Sequence, residues 1–321
     1  MSNKVPSFDH DQLAAIAMDL YGIEGEISSL DSYEDQNARI NTSMGSYVLK
    51  IANKRWTHEE LDLQTRVLDH LNKSATEVHS PLTLANKEGK TMAEVDGFSI
   101  RMLTFLEGEI LGKAARSPEL NHDIGRFMGQ FTRAMESFEH PVPESSNNLW
   151  NLDNVLACKM HLEDIVGEED RSRIEGFYDR YESNTLPRVG DLRKTIIHND
   201  ANEQNLLVAH DNPSRLAGLI DFGDLQRSSH INELAITLAH ALLGQNDFES
   251  TARQIVKGYA GVISLEEIER EVLFDLMAMR LVQSVTLSSH WAKEFPENKY
   301  IVSSQQPARE LLKKLESHHW D

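Results

Sequence analysis

The sequence predicts an α+β fold in two lobes, a small antiparallel-sheet lobe followed by a larger, mainly helical one. Three observations carry this expectation. In the first hundred residues, short runs rich in Ile, Val and Tyr alternate with turn-forming clusters, the pattern of an antiparallel meander. After Glu107-Gly108, apolar residues recur at helical spacing instead. Only three strand-like pieces, at residues 194–198, 205–209 and 215–220, interrupt that texture. The expected boundaries are residues 1–103 for the first lobe, 104–108 for a short hinge and 109–321 for the second lobe.

Each element has its own signal. Leu13, Ile16, Ala17 and Leu20 share one helical face, and Gly22 stands where a C-cap belongs. Residues 26–53 read as a meander with breaks at 31–37 and 42–45. Thr57 and Glu60 form a capping-box pair that opens a helix, with Leu61, Val67, Leu68 and Leu71 on its buried side. A strand pair is expected on either side of residues 86–90, and a further strand over 98–105. In the second lobe, Leu120, Ile124, Phe127 and Phe131 mark an amphipathic helix. Two more helical patterns fill residues 151–181, and the chain is helical again from Ile231 onward.

Composition narrows the partners. Across 321 residues, 32 Lys and Arg stand against 51 Asp and Glu, a formal charge of −19. So acidic a surface repels phosphate backbones and anionic lipid, which argues against nucleic acid and membrane surfaces and mildly favours cationic small molecules. The single cysteine, Cys158, excludes a disulfide framework and a Cys-rich zinc site. The histidines show no metal-ligand spacing. The first residues lack an apolar signal-type run, and no stretch approaches 18 uninterrupted apolar residues, so a cytoplasmic location is expected.

The most informative segment contains His198, Asp200 and Asn205 in the pattern H-x-D-x-x-x-x-N, followed by Asp221-Phe222-Gly223. Each half follows a strand-like run. The composite arises by chance in a chain of this make-up roughly 2 times in 10,000. Phosphoryl transfer needs an acid near the attacking hydroxyl and oxygen ligands for Mg²⁺ on the nucleotide phosphates. Asp200 suits the first role, and Asn205 can turn back to share a metal with Asp221.

With these residues the sequence resembles the aminoglycoside phosphotransferase family, the protein-kinase-like small-molecule kinases, and within it the hydroxylysine kinase branch. His198-Asn199-Asp200-Ala201-Asn202, Asp35-Gln36-Asn37, residues 47–52, Leu61 to Gln64 and residues 298–300 carry the likeness, which runs from about residue 10 to the C-terminus. It implies a protein-kinase-like two-lobed fold, with nucleotide contacts in the first lobe and catalytic and acceptor groups in the second. Asp200 is then the catalytic aspartate, with Asn205 and Asp221 as ligands of Mg²⁺. Lys50 contacts the phosphates of ATP or GTP, and the alternation of the strand puts it on the opposite face from Leu49 and Ile51. Ser32 and Asn37 stand where protein kinases carry a Gly-rich phosphate loop. Thr104 and Leu106 fall in the stretch whose backbone holds adenine. His198 is implied to be structural, Asp224 extends the acidic cluster, and Glu233 matches the family's brace for the catalytic loop. A first-turn helix carboxylate is the other reading of Glu233.

One departure stands out. Helix spacing puts Gln64, not a glutamate, on the buried face beside Leu61, Leu68 and Leu71, where it is expected to partner Lys50. Glu60 is the rival, although its capping role already explains it. For the acceptor, the family implies a hydroxylated amine: an aminoglycoside, choline, ethanolamine, homoserine or 5-hydroxylysine. Arg280, on an apolar helix, is a candidate clamp for an acceptor carboxylate or else a structural ion-pair residue. Trp291 and Tyr300 are candidate walls for the amine. The expectation is a Mg²⁺-dependent kinase using ATP or GTP, with 5-hydroxy-L-lysine as the leading acceptor. A sister kinase and a catalytically silent nucleotide-binding relative are the alternatives.

Overall fold

The structure, a computed structural model, describes residues 5–32, 35–74, 77–141, 148–302, 304–318 and 320. The chain divides into two units, Met1–Gly108 with Gly218–Ile220, and Glu109–Ala217 with Asp221–Asp321.

The first unit opens with α1 (His10–Tyr21), capped by reciprocal Asp9 and Gln12 hydrogen bonds and closed by Gly22 at φ 69°. Strands β1 (Glu26–Leu30), β2 (Gln36–Thr42) and β3 (Gly45–Ile51) form the meander, and α2 (His58–Lys73) follows from Thr57. Glu60 accepts from both the backbone N–H and the hydroxyl of Thr57 at 2.8 and 2.9 Å, so the capping box occupies this carboxylate. Then come β4 (Thr83–Leu84), β5 (Ala93–Val95) and β6 (Phe98–Thr104), in a sheet ordered β1-β2-β3-β6-β4 with β5 also on β6. The expected strand pair around residues 86–90 is therefore corrected. The two strands do not pair with each other, because both lie along β6, with β4 opposite Leu103 and Met102 and β5 opposite Phe98 to Ile100.

Register decides which side chains are buried. Ala38, Ile40, Leu49, Ile51, Ile100 and Met102 form one apolar cluster with Leu13, Ile16 and Ala17 of α1. The alternate positions Asn37, Lys50 and Arg101 are aligned in one cross-strand row. Side chains opposite one another in register project to the same face. A one-residue slip would drive Lys50 into the core against α1, which strongly specifies the observed pairing.

The second unit contains β7 (Glu109–Ile110), α3 (Pro118–Met135), 3₁₀ turns over Leu152–Asp164, α4 (Glu168–Arg180) and, after a widened turn, α5 (Leu186–Val189). Strands β8 (Lys194–Ile197), β9 (Leu206–Ala209), β10 (Asn212–Leu219, whose last two residues belong to the first unit) and β11 (Gln226–Ser229) follow, then α6 (Asn232–Ala241), α7 (Phe248–Ala260), α8 (Glu267–Glu294) and α9 (Gln305–Leu315). Of the two helices expected over 151–181, the first is thus 3₁₀. The strand β11, made of Gln-Arg-Ser-Ser, was not expected because it lacks the β-branched and aromatic residues that mark a strand. Helices α3 and α7 approach closely at glycines: a Cβ on Gly258 would lie 1.9 Å from the carbonyl oxygen of His122. Helix α8 is long and apolar enough to cross a membrane by length and composition, but most of it is buried inside the protein, as befits a core helix.

Candidate active site

The catalytic-loop residues are positioned by two ladders. β8 pairs antiparallel with β11, ending at Ile197 opposite Gln226, and β9 lies beside β10. The connection 198–205 leaves β8 and the turn at Asp221 leads into β11, so both depart from the same end of the β8–β11 ladder. Each connection contains a non-glycine residue in the left-handed region, Asn199 at φ 66° and Asp221 at φ 61°. Asn and Asp are the side chains that tolerate this conformation best, and such strained backbone persists only where its surroundings hold it.

Asp200 is gripped on both carboxylate oxygens. Asn202 Nδ2 donates to Oδ1 and Oδ2 at 3.0 Å each, and Asn205 Nδ2 donates to Oδ2 at 2.8 Å and to the Asp200 carbonyl at 2.9 Å. The side chain remains one-quarter exposed, so its carboxylate is held but reachable. Burial pushes its pKa up to about 8, and Asp224 and Asp221 push in the same direction, while Arg280 and the Asn202 hydrogen bond pull it down. The structure thus gathers Asp200, Asn205, Asp221 and Asp224 into one acidic, oxygen-rich cluster. Asn202 is the residue that sequence reasoning passed over. Its place two residues after Asp200, where an amide can reach back, was the available signal.

Two buried groups support the loop from behind. Glu233, in the first turn of α6 and fully buried, accepts the His198 backbone N–H at 2.5 Å. Both readings of this residue therefore describe the same side chain. Burial raises its pKa to about 7 against the opposing backbone hydrogen bonds of His198 and Asn199. The His198 ring is buried and meets Phe222 edge-on at 4.9 Å and Phe131 at 6.2 Å between centroids, which suits a packing residue of the loop.

Arg280 is placed differently from an acceptor clamp. It is 3% exposed. Nη1 donates to the Trp150 carbonyl at 3.2 Å and to Gln283 Oε1 at 2.9 Å, and Nη2 to the Asn199 carbonyl at 3.3 Å. Asp200 Oδ1 is 3.6 Å away, and the guanidinium lies 5.0 Å from the Trp150 ring centroid. Both terminal nitrogens are engaged by protein acceptors, while the buried Nε has none among the described residues; these bonds and the burial fit the ion-pair reading better than an acceptor clamp. Trp291, at the end of α8, stacks on Phe295 at 6.1 Å, away from these contacts. The side chain of Tyr300 lies outside the described residues.

In the first unit, Gln64 Oε1 accepts from Arg101 Nη2 at 2.8 Å, both side chains being buried. The partner expected to be Lys50 is thus its cross-strand neighbour, since the planar guanidinium directs a donor at the amide more rigidly than an ammonium does. Asn37 Oδ1, in the same row as Lys50, is buried with no hydrogen-bond partner among the described residues. Ser32 is exposed, and the next two residues lie outside the described ones. The Thr104 N–H bonds to the Leu82 carbonyl at 2.9 Å and its hydroxyl accepts from Leu82 N–H. Thr104 is consequently occupied within the sheet, and Leu106 follows beyond the strand.

A third feature escaped the sequence altogether. His161, Asp164 and His290 converge, with ligand-capable atoms all within 4.8 Å of one another. His290 Nδ1 is 2.8 Å from Asp164, and Lys293 donates to the same carboxylate at 2.6 Å. Linear spacing could not reveal this group, because His290 lies more than 120 residues from its partner.

Comparison with known proteins finds similar kinases. A hydroxylysine kinase from Danio rerio is 27% identical over 323 residues, covering 95% of this chain and 91% of that protein. A homoserine kinase from Zymomonas mobilis is 26% identical over 322 residues, covering 95% and 93%. The solved structure of an amicoumacin kinase, in complex with AMP-PNP, superposes with a TM-score of 0.71 at 15% identity, covering 96% of this chain and 94% of that one, which establishes the kinase-like fold. The model of the phosphotransferase enzyme family matches residues 26–271. The chain belongs to that family.

Proposed function

We propose that this small-molecule kinase, acting in the cytoplasm, transfers the γ-phosphoryl group of ATP or GTP to the hydroxyl of 5-hydroxy-L-lysine in a Mg²⁺-dependent reaction. The observation that carries the chemistry is Asp200, held on both oxygens by Asn202 and Asn205 beside two further acids. The acceptor assignment is supported by the likeness to hydroxylysine kinase over nearly the full length of both chains. The homoserine kinase of similar coverage makes homoserine the second reading.

In this mechanism Asp200 orients the acceptor hydroxyl and takes its proton at a carboxylate oxygen. A pKa lifted toward neutrality suits that task, because a general base works best near the ambient pH. Asn202 and Asn205 fix the carboxylate so that little reorientation is needed during reaction. Lys50 contributes a cation for the phosphates from residues 1–103, with Asn37 beside it and residues 104–108 as the hinge. The metal fits the donor set: an oxygen-only group of several acids around one buried carboxylate favours a hard dication. Asn205 and Asp221 would hold it, and it would neutralise charge developing on the phosphoryl oxygens. The same acids suit an acceptor that carries an ammonium group.

A panel of 5-hydroxylysine, homoserine, choline, ethanolamine and an aminoglycoside, run with ATP and GTP in a coupled nucleotide-diphosphate release assay, tests the acceptor. The highest kcat/KM is expected for 5-hydroxylysine; a preference for any other member reassigns it. Asp200→Asn should lower kcat by about 10²–10⁴-fold, the span of general-base catalysis, with nucleotide affinity nearly unchanged. Turnover close to wild type in that variant would refute the mechanism.

A further inference from the structure

We propose that Arg280 is a positioning residue for the catalytic loop, fixing the peptide between Asn199 and Asp200 from the core of the second unit. The inference rests on the kinase reading for its catalytic consequence, but its structural content stands apart from that reading. Asn199 occupies a left-handed conformation, which must be held by its surroundings. Arg280 Nη2 bonds the Asn199 carbonyl, the one that leads into Asp200. The Trp150 carbonyl accepts from Arg280 Nη1 at 3.2 Å and from Asn199 Nδ2 at 3.3 Å, so arginine and loop are fastened to a common point. One turn further along α8, the buried Gln283 accepts from Arg280 and donates to the Leu149 carbonyl at 2.7 Å and the Asn151 carbonyl at 3.4 Å.

The result is a closed set of hydrogen bonds joining α8, residues 149–151 and the loop. Arginine suits this place for a geometric reason. Its planar fork reaches two carbonyls in different directions at once, whereas a lysine ammonium on a flexible stem cannot hold both in fixed orientation. The positive charge lies 3.6 Å from Asp200 and opposes the repulsion from Asp221 and Asp224.

The test uses the full chain with Arg280→Lys and, as a milder perturbation that leaves the arginine in place, Gln283→Leu. Amide hydrogen exchange across residues 198–206 should accelerate by about 10- to 100-fold in Arg280→Lys, the loss associated with hydrogen bonds to a charged group, and less in Gln283→Leu. Exchange in β2, β3 and β6 should not change. In steady-state kinetics kcat should fall in the same order, with acceptor KM and nucleotide Kd within about threefold of wild type. Unchanged loop exchange in both variants would overturn the proposal. So would an acceptor KM raised more than tenfold at wild-type kcat, the signature of a carboxylate clamp. Should Arg280→Lys fail to fold, the Gln283→Leu exchange pattern decides alone. A wild-type protein inactive on every acceptor would sink the kinase assignment, while the exchange result would still judge the positioning role.

Discussion

Replacing Glu233 by Gln provides a quantitative check on how the catalytic loop is supported. The wild-type carboxyl is buried, with Oε2 accepting the His198 N–H and Oε1 buried with no hydrogen-bond partner among the described residues. Its pKa is lifted from an ordinary 4.5 to about 7. For an acid whose folded pKa exceeds its unfolded one, the native state binds more protons between the two values, so stability falls as pH rises through that window. The full difference is (7 − 4.5) × 1.36, or about 3 kcal/mol, of which about 2.5 kcal/mol develops between pH 5 and pH 8. Glutamine keeps an acceptor for His198 and has no proton to lose. Urea denaturation of both proteins at pH 5, 6, 7 and 8, with chelator and without nucleotide, isolates the effect because other titrations cancel in the comparison. The variant should gain on wild type by roughly 2–3 kcal/mol from pH 5 to pH 8. A constant difference across the series would show that Glu233 is ionised throughout, and the account of a strained buried carboxyl would fail.

Three further outcomes follow from packing and charge. Glu269 is fully buried; burial pushes its pKa up, but the His230 ring 3.6 Å away and the Arg193 hydrogen bonds outweigh this and bring it down to about 2. Its stabilisation is present above about pH 4.5 and lost as pH falls through about 2, so Glu269→Gln should cost about 3 kcal/mol at pH 7 but only about 1 kcal/mol at pH 3 by urea titration; equal losses at both pH values would contradict the assignment. Gly258→Ala should lower Tm by several degrees, since its Cβ would overlap the His122 carbonyl and overpacking costs about 1–3 kcal/mol. Gly176→Ala in α4, where a Cβ meets nothing within 4 Å, should be neutral or stabilising by about 0.5–1 kcal/mol.

The catalytic loop was readable because its chemistry is local. Asp200, Asn205 and the Asp221 turn lie within a short stretch, so their spacing alone was enough to bring them forward as a candidate site, and the Thr57–Glu60 cap was readable for the same reason. What the sequence hid was non-local. Gln64 could be assigned to the buried face of α2, but choosing between Lys50 and Arg101 required the register of β3 against β6, which no periodicity encodes. Arg280 was visible as a cation on an apolar helix; that it bonds the Asn199 carbonyl depends on where residues 149–151 and the loop run. The His161, Asp164 and His290 group depends on α8 packing along the 3₁₀ segment. Strand β11 was invisible because its neighbours, not its residues, make it a strand.

The 81-residue separation between Asn199 and Arg280 has a consequence for biosynthesis. At roughly 5–20 residues per second, the loop waits about 4–16 s after its own synthesis for the helix that anchors it. Every residue of the phosphoryl-transfer motif exists before then, yet its left-handed Asn199 lacks one of its restraints. A nascent chain halted shortly before α8 would carry the complete motif without the arginine bonded to its loop, so the order of synthesis separates the motif from that contact.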